Sequence, residues 1–277
     1  MRSILVTGAA GGVGRALAVR LAARGDRVFA CARSTAQIAE LESDRITAIA
    51  MDVSDTKSVE QGFATLDHRI GDAALDAVVH CAAMAPLGTV EFTSPDDYAH
   101  VHNVNTLGAL RVSQASFARM RQGGDKRLIL LSSLWGRLSG PLVSNYAASK
   151  HALEAIVDSL RRETESSGIR ISVVEPGVIK TKMFTNQTAE ILNKIVDLSE
   201  DEREHYLPLY QSYLKLFEQS AKTAITADQC VDRVIEVLDA KKPRTRYLVG
   251  ADAKLLVRLA SWMSDSALDK LFFRMTR

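Results

Sequence analysis

The sequence predicts an α/β fold, a parallel, doubly wound sheet of about seven strands flanked by helices. Three observations predict it. Short, nearly all-apolar runs alternate with longer segments of helical period, as expected of strands covered on both faces. A glycine-rich stretch sits at the first strand-to-helix junction. The 277 residues, 47% hydrophobic and 25% charged, have the composition of an ordinary globular chain, which excludes disorder, collagen and coiled coil.

The strand-like runs are Ile4 to Thr7, Arg27 to Ala32, Ile46 to Met51, Leu75 to Cys81, Arg127 to Leu131, Ile169 to Val174 and Tyr247 to Val249. Helical period marks Val13 to Arg24 and Asn145 to Ser166, the latter ending before Gly168 as a helix C-terminus should. From Thr181 to Thr226 no strand signal occurs, but Tyr206, Leu209, Tyr210, Tyr213, Leu214 and Phe217 fall on one helical stripe. Residues 181–226 therefore read as an insertion with its own helices. Residues 251–277 read as a helical tail, with Leu255, Leu256, Leu259, Trp262 and Met263 on an apolar face beside Lys254 and Arg258. Such a tail suits a pocket cover, a subunit contact or a membrane surface, and the pattern does not choose among them. No linker or low-complexity run interrupts the chain, so a single domain spanning 1–277 is expected.

Charge and cysteine usage narrow the function classes. A net charge of +2 provides no field for binding nucleic acid. Cys31, Cys81 and Cys230 are odd in number and lack CxxC spacing, which fits reduced thiols in a cytoplasmic protein. No apolar run reaches the roughly 18 residues of a transmembrane span. His80, His100 and His102 are not accompanied by a ligand cluster, so no metal is expected.

The stretch Thr7-Gly8-Ala9-Ala10-Gly11-Gly12-Val13-Gly14 joins the first strand to the first helix. Glycines there allow a tight turn and let the backbone approach a pyrophosphate, whose charge meets the helix N-terminal amides. A purely structural turn is the alternative. No GK[ST] follows, which argues against a nucleoside triphosphatase loop. Tyr146 and Lys150 lie four residues apart, one helical turn, and so share a helix face.

In its TGxxxGxG spacing the chain resembles the short-chain dehydrogenase/reductase family, whose fold is of Rossmann type. Further matches follow in family order over about 180 residues: Asp52-Val53, Asn105, Ser132-Ser133, the Tyr146-Ala-Ala-Ser-Lys150 motif and Pro176-Gly177-Val178 through Thr181. The stretch Lys241 to Gly250 is similar to the last-strand region of the branch containing hydroxysteroid and retinol dehydrogenases. The resemblance implies an oxidoreductase that interconverts a carbonyl and an alcohol. It implies that Tyr146 is general acid or base, and that Lys150 lowers its pKa and holds the nicotinamide ribose. It further implies that Ser133 binds the substrate oxygen, with Ser132 as alternative, and that Asn105 supports a proton relay. Lowering a phenol's pKa by about three units requires roughly 4 kcal/mol of preferential phenolate stabilisation.

The residues expected at the cofactor are Thr7, Gly8, Gly12, Val13, Gly14, Arg33, Asp52, Val53, Ala82, Tyr146, Lys150, Pro176, Gly177, Val178 and Thr181. At the end of the second strand Ala32 stands where relatives that prefer NAD(H) carry an acid, and Arg33 follows. A forked guanidinium suits a ribose 2′-phosphate, so NADP(H) is expected over NAD(H), with Arg15 placed to assist. One departure is His80-Cys81-Ala82-Ala83 in place of the usual Asn-Asn-Ala-Gly, where Ala83 lacks glycine's access to positive φ. Nine of the sixteen aromatic residues follow residue 182, which suits a hydrophobic small-molecule substrate, steroid-, retinoid- or acyl-like, under a helical lid, with ordinary core or dimer packing as the alternative. The resemblance also implies a homodimer or homotetramer. A catalytically idle dinucleotide sensor, an NAD-linked alcohol dehydrogenase and a longer nucleotide-sugar enzyme are the alternatives.

Overall fold

The computed structural model describes residues 1–121 and 124–275. Its strands are β1 (Ser3–Thr7), β2 (Arg27–Ala32), β3 (Ile46–Ala50), β4 (Ala77–His80), β5 (Lys126–Leu131), β6 (Ile169–Pro176), β7 (Ile179–Lys180), β8 (Ile225–Thr226) and β9 (Arg246–Val249). Its helices are α1 (Gly12–Ala23), α2 (Thr56–Ile70), α3 (Pro95–His102), α4 (Gly108–Met120), α5 (Ser144–Glu163), α6 (Lys182–Asp197), α7 (Glu200–Ser220), α8 (Ala227–Asp239), α9 (Ala251–Trp262) and α10 (Asp265–Met275).

Seven parallel strands form one sheet in the order β3-β2-β1-β4-β5-β6-β9. Each helical crossover returns the chain to a parallel neighbour, and the order reverses between β1 and β4. There the loops leaving the carboxyl ends of the strands diverge and open a crevice. Because both faces are covered, the strands are apolar throughout. One core unites Ile4, Val6 and Val28 with Leu17 of α1 and Val231 and Val234 of α8. The other unites Leu5, Phe29 and Val78 with Phe63 of α2, Val112 of α4 and Leu153 of α5.

All seven expected strands are present, with modest differences at their ends. Met51 and Leu75 are buried in the core but lie outside the ladder, so apolarity extended the sequence reading beyond the paired residues. Residues 181–226 are not free of strand: Ile225–Thr226 pairs in parallel with Ile179–Lys180 and pins the base of the insertion. Two-residue strands carry no readable alternation. Helices α6 and α7 fill the rest, and Tyr210, Tyr213 and Phe217 of the aromatic stripe pack with Ile191, Leu87, Leu142 and Val143 in a third core. Phe184 stacks on Phe217 with ring centroids 4.1 Å apart. Most of the stripe therefore holds the insertion together and anchors it to the loops before α3 and α5.

The tail divides its apolar residues. Ala253 and Val257 of α9 bury against Leu134 and Leu138, and Phe272 of α10 lies 6.5 Å from Trp135 between ring centroids. Leu255, Trp262 and Phe273 instead face solvent, Trp262 at 90% exposure. Among the described residues no helix is long and apolar enough to cross a membrane.

Leu17 is fully buried where α1 meets the sheet. Leu17→Ala is expected to destabilise the protein by about 2–5 kcal/mol, measured as a shift of the urea unfolding curve with its slope retained.

Candidate active site

The site is assembled from the carboxyl ends of β1, β4, β5 and β6 and from one face of α5. Helix α1 starts at Gly12 without a side-chain cap and without an acid in its first turn, as α4, α5 and α6 also do, but it alone follows a glycine-rich loop at the end of β1. Its leading amides are thus kept clear of protein acceptors, as anion binding requires. Gly8 has φ of 71°, and a Cβ on it would lie 2.9 Å from Ala82 N. A Cβ on Gly14 would lie 2.5 Å from Gly8 O, so the turn closes this tightly only with glycine at both positions. Gly12, also at positive φ, faces Thr181 across 3.5 Å from its Cβ position. Gly11 has open space beside it, and together these features form a glycine cradle that fits a pyrophosphate.

Thr7 departs from its expected role. Its side chain is fully buried, and its Oγ1 accepts from Cys81 N at 3.1 Å and Ala82 N at 3.2 Å. His80 Nδ1 lies 3.0 Å from the same oxygen. The hydroxyl is therefore a clamp between β1 and the β4 loop. Burial, with Lys150 nearby, pushes the His80 imidazole down to about 3, so the ring is neutral and shares a hydrogen bond with the Thr7 hydroxyl at Nδ1. His80-Cys81-Ala82-Ala83 is absorbed without strain, since Leu142 is the one non-glycine at positive φ among the described residues. Val13 and Val53 put their side chains into the two cores, leaving backbone to face the crevice.

Arg33 is exposed at the end of β2. Arg15 is ion-paired to Glu40 of the loop that follows, so of the two cations only Arg33 is uncommitted to a carboxylate by hydrogen bond. Burial opposes ionisation of Asp52, but hydrogen bonds from Ser54, with Arg33 and His100 nearby, outweigh it and hold the carboxyl below its usual range. Pro176, Gly177 and Val178 follow β6, and Asp252 of α9 accepts from Val178 N at 2.7 Å. No sequence signal marks Asp252. Thr181 precedes α6 without capping it.

The putting together of Tyr146, Lys150 and Ser133 follows from α5 starting beside the end of β5. Tyr98 and Ser144 join at 2.6 Å and fix the start of the helix. Lys150 is buried at 1% exposure, donates from Nζ to Leu131 O at 2.8 Å, and sits 5.7 Å from the Tyr146 ring centroid. Burial pushes the Tyr146 phenol up to about 12, with a hydrogen bond from Ser133 acting against this. Burial pushes the Lys150 ammonium down to about 8, opposed by Glu154 and Cys81. Of the adjacent serines, Ser133 meets Tyr146, while Ser132 Oγ points back toward Gly136 and Glu154. In this arrangement the counterweight on Tyr146 is Ser133, not Lys150.

Asn105 is fully buried in a π-helical turn over Asn103–Leu107. Its Oδ1 accepts from Met84 N at 2.8 Å, and its Nδ2 donates to Met84 O at 2.8 Å and Ser149 Oγ at 2.9 Å. Ser149 Oγ in turn donates to Tyr146 O at 2.7 Å. The amide thus ties the β4 loop to the backbone of the Tyr146 turn, a bracing role through Ser149 that spacing does not reveal. Among the described residues no group of three or more His, Cys, Asp or Glu lies together as metal ligands would.

Fold and site together place a glycine cradle near Ser133, Tyr146 and Lys150 at the carboxyl edge of a parallel α/β sheet. Residues 2–192 match the family model for short chain dehydrogenase. Human retinol dehydrogenase 5 is 34% identical over 278 residues, covering 96% of this chain and 86% of that protein. An NADPH-dependent 3-dehydrocapnine reductase from Ornithobacterium rhinotracheale is 27% identical, covering 99% of this chain and 97% of that one. A short-chain dehydrogenase from Streptomyces avermitilis superposes with a TM-score of 0.77 at 25% identity, covering 99% and 94% of the two chains. The chain belongs to the short-chain dehydrogenase family and is an enzyme acting on CH–OH groups.

Thr7→Ala would leave two backbone N–H groups and His80 unpartnered in a buried place. It is expected to cost about 1–3 kcal/mol in chemical denaturation, with Thr7→Ser recovering most of the loss.

Proposed function

We propose that the protein is an NADP(H)-dependent oxidoreductase that interconverts a hydrophobic carbonyl compound and its alcohol, with Tyr146 as proton donor and acceptor. The observation that carries this reading is the convergence of Tyr146, Ser133 and Lys150 beside the glycine cradle, on the carboxyl edge of the sheet.

The cradle of Gly8, Gly12 and Gly14 and the free first turn of α1 fit a dinucleotide's pyrophosphate. On this reading Asp52, Ala82 and the Val53 backbone would meet the adenosine, and Pro176, Gly177, Val178 and Thr181 the nicotinamide. Arg33 supports a 2′-phosphate, because it is exposed, free of a carboxylate hydrogen bond and preceded by Ala32 in place of an acid. The NADPH dependence named for the Ornithobacterium relative points the same way. A bound nicotinamide supplies or accepts the hydride.

A phenol held up near 12 keeps its proton through the neutral range, which suits donation to the oxygen of a carbonyl undergoing reduction. Ser133 offers a hydroxyl to the same oxygen as negative charge builds on it. Lys150 contributes a buried positive charge within reach of the Tyr146 ring, stabilising phenolate once the proton has left. Asn105, through Ser149, holds the Tyr146 turn in register with the β4 loop. The lid aromatics that remain half-buried at the edge of the third core, Phe184 and Tyr206 with Trp135, support an apolar substrate. The retinol dehydrogenase named above acts, by its name, on such an alcohol.

Tyr146→Phe is expected to reduce turnover by at least about 10²-fold while NADPH still quenches protein fluorescence. Full turnover would overturn the assignment. Arg33→Ala is expected to weaken NADPH binding with little effect on NADH, and equal kcat/KM for the two cofactors in the wild type would contradict the NADP(H) reading. Reduction by the wild type should fall as pH rises through about 8, where Lys150 loses its charge.

A further inference from the structure

Behind Lys150 lies a buried acid pair that none of the steps above uses. Glu154 sits one turn beyond Lys150 on α5, at 6% exposure, and Glu175 sits on β6 immediately before Pro176-Gly177, at 2% exposure. Arg246 of β9 bridges them, donating from Nε to Glu154 Oε2 at 3.1 Å and lying 3.5 Å from Glu175 Oε1. Its Nη2 is given to Asp158 at 2.7 Å, and Asp158 also meets Arg161 and Arg162. From the turn after β5, Arg137 approaches Glu175 Oε1 only to 3.8 Å.

The hydrogen bonding of this cluster is one donor short. Glu154 Oε1 and Glu175 Oε1 are both enclosed and lack a hydrogen-bond partner; Ser132 Oγ, also unpartnered, has one hydroxyl hydrogen to give, which still leaves one carboxylate oxygen without a donor. Gly136 leaves the space they occupy: a Cβ there would fall 2.6 Å from Ser132 Oγ and 3.4 Å from Glu154 Oε1. Two buried carboxylates sharing one guanidinium that also serves a third acid cannot both stay charged cheaply. A proton on one orphan oxygen removes the excess charge and supplies the missing donor.

We propose that Glu154 and Glu175 share one proton at neutral pH and act as a positioning pair whose remaining negative charge keeps Lys150 an ammonium. The Lys150 half of this rests on the reading of Tyr146 and Lys150 given under the proposed function. Burial and the neighbouring Glu154 push the Glu175 carboxyl up to about 7, against Arg137 and Arg246. As pH rises through that value the shared proton leaves to solvent and the pair gains a negative charge. Lys150 then holds its own proton more firmly, which extends the range over which the centre stays charged. The charged groups facing the pair are Lys150 and Asp158 on α5, Arg137 after β5 and Arg246 on β9.

The linkage has a definite sign. A carboxyl whose folded pKa is raised contributes stability below the ordinary carboxylate range and loses it as pH climbs to about 7. Glu175→Gln should therefore raise the Tm relative to wild type at alkaline pH more than at acidic pH.

The test uses the whole ligand-free protein and infrared difference spectroscopy. Wild type is expected to show the carbonyl band of a protonated carboxylic acid that disappears as pH passes through about 7, and Glu154→Gln and Glu175→Gln are each expected to lack it. In the pH profile of kcat for carbonyl reduction, the alkaline limb should move to lower pH in both variants by on the order of one unit, about tenfold in rate at a fixed alkaline pH. Absence of a titrating acid band in wild type, which needs no variant to fold, overturns the pair. A band that behaves as expected with an unmoved alkaline limb in both variants overturns the coupling to Lys150. Full activity in Tyr146→Phe overturns the reaction centre instead, and leaves the infrared result to stand for the acid pair alone.

Discussion

The site turns on the burial of one ammonium. Lys150 has almost no access to water, and a charge taken out of water must be met by dipoles and charges the protein supplies. The Leu131 carbonyl, at the end of β5, accepts from it directly. The Tyr146 ring lies one turn before it, and Glu154 one turn after. Each of these exists because α5 docks against the end of β5 with Leu153 and Val157 buried in the core. Apolar packing thus fixes the cation beside the Tyr146 ring.

A second constraint is the closeness of the loops at the sheet's carboxyl edge. Gly8, Gly14 and Ala82 pack backbone to backbone, and the Thr7 hydroxyl holds β1 and the β4 loop together from inside. Asn105 continues the chain of ties from Met84 through Ser149 to the Tyr146 carbonyl. The cradle and the reaction centre are consequently parts of one braced edge. The neutral His80 fits this view: a charged imidazole would add a second cation beside Lys150, and burial prevents it.

The sheet was readable because its strands are buried on both faces, so apolar runs mark them directly. The same signal overran the strand ends at Met51 and Leu75, which are buried in the core, and missed Ile225–Thr226, too short to show a pattern. The positions of Tyr146, Lys150 and Ser133 were legible from spacing, but their electrostatics were not. Burial raises Tyr146 and lowers Lys150, and the direct counterweight on the phenol is Ser133. Thr7 was legible as a site residue, though its hydroxyl serves the scaffold. Periodicity placed Tyr210, Tyr213 and Phe217 on one helix face and left substrate contact and core packing both open; the face turns into the lid's own core. Glu154 carried a faint signal, an acid one helical turn from Lys150, whereas Glu175 and Asp252 become visible only when strand and helix ends meet.

The central claim is that Lys150 is a buried ammonium held charged at neutral pH by its surroundings. Nuclear magnetic resonance of the protein with labelled lysine side chains, assigned through Lys150→Arg, measures that charge directly. The account predicts that Lys150 titrates near 8, set apart from the exposed lysines by its burial. A Lys150 signal that titrates with the exposed lysines at about 10.4, or one already neutral at pH 7, would contradict it.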